Sequence, residues 1–195
     1  MGAAVNLASR LCGIARAGEI LLNENTFHSA YQKEQPRAAL PYFQQSANIA
    51  DQLAKLDPAN TEWQRDLSVG YQQLAHINRE IGDLESSHAW YLKSFAIAST
   101  LSDKDPVNAS LLQDKGIAHF DLGKILGLLK RPGEAREQLT LADQIYRRLI
   151  ERDSTNEELK SECEEVEAAQ KRCPSQFAYF HSLSPDCIRD ECDAT

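Results

Sequence analysis

The chain has 195 residues, 42% of them hydrophobic, with only 9 glycines and 7 prolines; this excludes collagen-like and low-complexity disordered chains. Its formal net charge is -8, and from Asp153 onward 11 acidic residues face four basic ones, a surface that repels phosphate backbones and argues against nucleic-acid binding. No apolar run approaches the roughly 20 residues a membrane helix needs, and no leader pattern opens the chain, so a soluble cytoplasmic protein with no membrane partner is expected.

Residues 1–33 read as a small α-β-α unit. Val5, Leu7, Ala8, Leu11, Cys12 and Ala15 recur at helical spacing, and Gly18 is a C-terminal breaker. Glu19 to Leu22 has strand character, and Asn23 can cap a helix running to Tyr31. The run Val5 to Leu11, with Gly2 before it and Ala15, Gly18, Ile20, Leu21 and Glu24 after it, resembles the late segment of class III adenylate/guanylate cyclase domains. The resemblance implies Asn6 and Arg10 as the side chains that stabilise the transition state when ATP or GTP is cyclised. It also implies two metal-binding aspartates upstream of that helix, and no residue of this chain matches them. The unit is therefore expected to be a truncated, catalytically inert remnant without a cofactor. Mg²⁺ or Mn²⁺ would enter only if a second chain supplied the metal-binding half, which is the alternative function.

From position 37 to 172 the sequence repeats with a 48-residue period. Asp57-Pro58-Ala59-Asn60 returns as Asp105-Pro106-Val107-Asn108 and, degraded, as Asp153-Ser154-Thr155-Asn156. In the same register stand Ala39, Ser87 and Ala135; Phe43, Tyr91 and Leu139; Ser46, Ser94 and Ala142; Ile49, Ile97 and Ile145; and Leu53, Leu101 and Leu149. Small positions recur as small and large apolar ones as large, which is how stacked units meet. Each unit reads as two helices. The expected pairs are 61–81 with 84–103, split by Gly82-Asp83, and 109–130 with 133–152, split by Lys130-Arg131-Pro132-Gly133. A helix over 37–56 precedes them as a second-helix equivalent without a first, and an acidic helix over 156–172 closes the stack.

Leu74-Ala75, Gly82, Ser87, Tyr91 and Ser94, with Leu122-Gly123, Lys130, Ala135, Leu139 and Ala142, give this region a resemblance to the tetratricopeptide repeat in a long-helix form. The period is 48 rather than the usual ~34 residues, and Lys130 stands where the turn glycine belongs. The resulting expectation is an all-α array of antiparallel helical hairpins, non-catalytic, that binds a protein or peptide on its first-helix face. By register that face carries Gln72, His76, Arg79, Phe120 and Lys124. Homodimerisation is a further partner expectation.

Residues 173–195 form a tail with three of the five cysteines, at 173, 187 and 192, the others being Cys12 and Cys163. An odd count without a secretion signal reads as reduced thiols. Cys173, His181, Cys187 and Cys192 could formally provide a Cys₃His zinc set, but their spacing matches no common zinc pattern, so no metal site is assigned. No phosphate-binding glycine loop, G-x-S-x-G or H-E-x-x-H motif occurs.

Overall fold

A computed structural model describes residues 36–173. The α-β-α unit expected over 1–33, with Asn6 and Arg10, lies outside the described residues, as does the tail after Cys173. The described chain is six helices: α1 Pro36–Leu56, α2 Thr61–Glu80, α3 Leu84–Lys104, α4 Ala109–Leu128, α5 Pro132–Arg152 and α6 Glu157–Arg172. Each packs chiefly on its neighbours in sequence, and connections of three or four residues make those neighbours antiparallel. The expected all-α hairpin array is thus present over this span.

The joins explain the register. At each Asp-x-x-Asn turn the Asp N–H closes the preceding helix, onto Leu53, Leu101 and Leu149. The Asn side chain then caps the next helix. Asn60 accepts from the backbone N–H groups of Glu62 and Trp63, Asn108 from Ser110 and Leu111, and Asn156 from Glu158 and Leu159, all at 3.1–3.2 Å. The third turn works without proline because the capping aspartate and asparagine do the bonding. Replacing Asn60, Asn108 or Asn156 by Ala should each lower stability by about 1 kcal/mol, readable as a shift in urea midpoint. An unchanged midpoint for all three would mean that the turns are held by something else.

The other two joins are Schellman turns. Gly82 and Asp83 donate to the carbonyls of Arg79 and Asn78, and Lys130 and Arg131 to those of Gly127 and Leu126. Gly82 takes φ +85° and Lys130 φ +58°, so Lys130 adopts the left-handed conformation that glycine meets without steric cost. This ends α4 at Leu128, two residues before the expected boundary. Pro132 then opens α5 at its first position, where its missing N–H costs nothing.

Two chemistries let the paired helices approach. Between α2 and α3, Ser68 Oγ contacts Ser94 Oγ at 2.9 Å, and Ser87 Oγ donates to the Ala75 carbonyl at 2.7 Å. Between α4 and α5 the same register positions hold Gly116 with Ala142, and Gly123 with Ala135, so bare backbone replaces hydroxyl bonding. A Cβ on Gly123 would stand 2.6 Å from Leu139 Cγ. On α6 the equivalent positions are Glu164 and Lys171, both exposed. The close small-residue approach of the two preceding pairs therefore has no counterpart at these two positions.

The core runs between the layers. Ala39, Phe43, Ala47, Leu74 and Ile77 join α1 to α2; Ala75, Tyr91, Leu122 and Ile125 join α2, α3 and α4; Leu112, Tyr146, Leu149, Leu159, Cys163 and Val166 join α4, α5 and α6. Among the described residues no buried side-chain nitrogen or oxygen lacks a hydrogen-bond partner, and no helix is long and apolar enough to cross a membrane.

Candidate interaction face

Gln72 and Phe120 are register equivalents, as are His76 and Lys124. With Arg79 they occupy one side of α2 and α4, spaced i, i+4, i+7 on α2 and i, i+4 on α4, and all five are half-buried. His76, Arg79 and Lys124 are each already held by their own helix. His76 Nε2 lies 2.8 Å from a Glu80 carboxylate oxygen, and Arg79 Nη2 lies 2.8 Å from His76 Nδ1. Lys124 Nζ is 3.0 Å from Asp121 and 4.1 Å from the centroid of the Phe120 ring, a cation–π arrangement. Phe120 also packs against the α4–α5–α6 cluster. It is therefore both core and surface, its ring covered by Lys124 rather than standing free.

Successive first helices are tied across this side by a contact that repeats with the sequence. Arg65 of α2 donates to Asp114 of α4 through Nε at 2.5 Å and Nη2 at 2.9 Å. One unit later, Gln113 of α4 donates to Glu162 of α6 at 2.8 Å. The 48-residue spacing of Arg65 with Gln113 and of Asp114 with Glu162 carried this signal, which apolar periodicity alone does not reveal. Burial raises the Glu162 carboxyl above its ordinary range, and Glu158 and Glu165 push it the same way. The hydrogen bond from Gln113 opposes that shift.

His119, which sequence reasoning passed over, sits one position behind the face. It is buried between α3, α4 and α5, its ring centroid 4.8 Å from that of Phe95, and its Nδ1–H donates to Gln138 Oε1 at 2.8 Å. Burial lowers its pKa below the usual 6.5, Lys115 adds to that, and Gln138 opposes it. The unfolded chain therefore takes up a proton below pH 6.5 that the folded chain resists, so stability falls as pH drops from 6.5 through the folded value. The melting midpoint should drop between pH 7.5 and 5.5, and His119→Phe should flatten most of that drop. His88, whose pKa burial also depresses, leaves a smaller slope. Equal slopes in variant and parent would exclude His119 as the sensor.

Asp143, Cys163 and Glu167 bring one ligand atom each within 4.8 Å of one another, but Arg147 occupies the space between the acids. Its Nε lies 2.9 Å from Asp143, and its Nη2 lies 2.7 Å from Glu167. Burial, then Asp143, raises the Cys163 thiol above its ordinary pKa, so it remains an S–H group that points at Asp143 at 3.8 Å. The cluster is a structural ion-pair knot on α5 and α6. Of the formal zinc set, Cys173 donates to the Pro132 carbonyl at 3.4 Å; His181, Cys187 and Cys192 lie outside the described residues.

No protein-family model and no curated protein matches the chain. A solved structure described as "DHF119 filament" aligns over 92% of this chain and 83% of its own, at 12% identity and a TM-score of 0.36, a likeness too loose to bear on topology or function.

Proposed function

We propose that residues 36–173 form a non-catalytic, tetratricopeptide-like interaction module that receives a protein or peptide segment across α2 and α4. The feature that supports this reading is the register by which Gln72 and Phe120, and His76 and Lys124, recur one repeat apart on α2 and α4, with Arg79 at helical spacing from His76. His76, Arg79, Phe120 and Lys124 are oriented by contacts within their own helices before any ligand arrives, which reduces the ordering cost of binding. A ligand carboxylate would compete with Asp121 for Lys124 and with Glu80 for the His76–Arg79 pair, while an apolar group would lie against Phe120. Two units offer a small area, so micromolar rather than nanomolar affinity is expected. A peptide-array screen followed by fluorescence anisotropy tests it. Binding weakened about tenfold or more by Arg79→Glu with Lys124→Glu supports the groove, and a screen without ligands, or binding indifferent to both changes, removes it.

The cyclase-like run at residues 2–24 favours a second reading, in which the chain belongs to a cyclic-nucleotide signalling assembly. Asn6 and Arg10 would then contribute to a site whose metal-binding half, with Mg²⁺ or Mn²⁺, comes from another chain. Incubating the chain with ATP or GTP and Mn²⁺, alone and with a metal-competent cyclase half, should give no cyclic product from the chain alone. Product that disappears on Asn6→Ala or Arg10→Ala would establish the second reading.

A further inference from the structure

Among the described residues every second helix except α1 lies on a first helix of its own. Trp90 of α3 meets Tyr71 of α2 with ring centroids 5.4 Å apart, and Ile97 packs into the cluster of Leu67 of α2 with Ala50 and Ala54 of α1. In α5, Ile145 packs into the Leu112 cluster, its Cγ2 3.1 Å from where a Cβ on Gly116 would stand. One repeat earlier these positions are Tyr42 and Ile49 of α1. The next position in the series is Lys104 in α3 and Arg152 in α5, but Leu56 in α1. Among the described residues no helix covers them. Tyr42 is 38% exposed and Leu56 75% exposed, and Ile49 is half-buried. Spaced by seven residues, the three stand in one line about 21 Å long down the open side of α1.

We propose that this line is a homodimer interface, α1 of one copy packing antiparallel on α1 of a second across a two-fold axis at Ile49. Ile49 then meets the partner's Ile49, and Tyr42 meets the partner's Leu56 in both directions. A two-fold contact of this kind closes at two copies without further growth. A line of heptad-spaced apolar side chains is the pattern on which helices pair.

Two observations select a second copy over other occupants. The 35 residues preceding Pro36 are long enough to supply a first helix, but in register they place Ile20 and Phe27 where α2 has Ser68 and Ala75 and α4 has Gly116 and Gly123. At Gly123 even a Cβ would come within 2.6 Å of Leu139, so such bulk is incompatible with the close approach these pairs use. End-to-end stacking onto α6 is opposed by Glu164 and Lys171 at those same small-residue positions.

Sedimentation equilibrium of the full chain under reducing conditions tests the proposal. The expected result is a concentration-dependent dimer. Leu56→Lys, which installs the residue type α3 and α5 carry at that position, and Ile49→Lys should each weaken it about tenfold or more with helical circular dichroism retained. Gln44→Lys, on the far side of α1, should leave it unchanged. A monomer at every concentration reached would overturn the proposal, as expected if residues 1–35 cover α1 instead. A dimer insensitive to Leu56→Lys and Ile49→Lys would overturn it equally, placing the contact elsewhere.

Discussion

Gly123→Ala should lower stability by roughly 2–3 kcal/mol, while Gly127→Ala, one turn further along α4, should raise it by up to about 1 kcal/mol. Both changes replace a poor helix former by the best one and restrict the unfolded chain equally, so propensity alone predicts the same sign. Packing separates them. Around Gly127 nothing lies within 4 Å of a new Cβ, whereas at Gly123 it would stand 2.6 and 2.7 Å from Leu139 Cγ and Cδ2 and 3.2 Å from the Ala135 carbonyl oxygen. Leu139 is 2% exposed, so it can yield only by leaving its rotamer or by moving α5 away from α4. Combining Gly123→Ala with Leu139→Ala should cost less than the two changes separately, because the second removes the atoms that the first collides with. Urea unfolding of the four variants measures all of this. A Gly123→Ala protein as stable as its parent would show that α4 and α5 do not meet at this separation.

The same pair of helices shows which parts of the architecture are legible in sequence. The period, the Asp-x-x-Asn turns and the small residues at 75, 87, 123 and 135 are local or strictly periodic features, and each helix expected from position 37 to 172 forms within two residues of its reading. Lys130 hid the second Schellman turn, because the turn is specified by backbone hydrogen bonds that any residue can make once it tolerates a left-handed φ. Gln72, His76, Arg79, Phe120 and Lys124 stand on α2 and α4, as their register implies, but the contacts among them are not readable from the sequence. Phe120 is the clearest case, since periodicity puts it at the edge of the apolar stripe and cannot tell that Lys124 folds over it. His119 was missed for the opposite reason: it falls in the apolar stripe of α4, and only the position of Gln138 on α5 shows how its polarity is satisfied. The contact between Gln113 and Glu162 was recoverable in principle, by asking which polar positions repeat with the apolar ones.

Tyr146→Ala should cost roughly 3–5 kcal/mol, the largest effect expected from one side chain, with its consequences concentrated at one end of the array. Tyr146 is 1% exposed and shares its cluster with Leu112 of α4 and with Leu159, Cys163 and Val166 of α6. Those three are the buried residues that α6 contributes, and among the described helices α6 packs chiefly on α5. In a linear array, stability is a sum of units and of interfaces between neighbours. Deleting the ring therefore removes most of what keeps α6 in place, while α1 and α2, held by Phe43, Leu74 and Ile77, lose nothing directly. Amide hydrogen exchange should accelerate most in α6, then in α5, and least in α2. Tyr146→Phe should cost much less, about 1 kcal/mol, since the ring still fills its site. That variant should also weaken the alkaline destabilisation expected above pH 10, where the buried phenol, raised by burial and by Glu162, Asp121 and Glu165, keeps a proton that the unfolded chain releases. Uniform acceleration of exchange from α1 to α6 in Tyr146→Ala would mean that the six helices unfold as one cooperative block, and that the last helix is not held by a local interface.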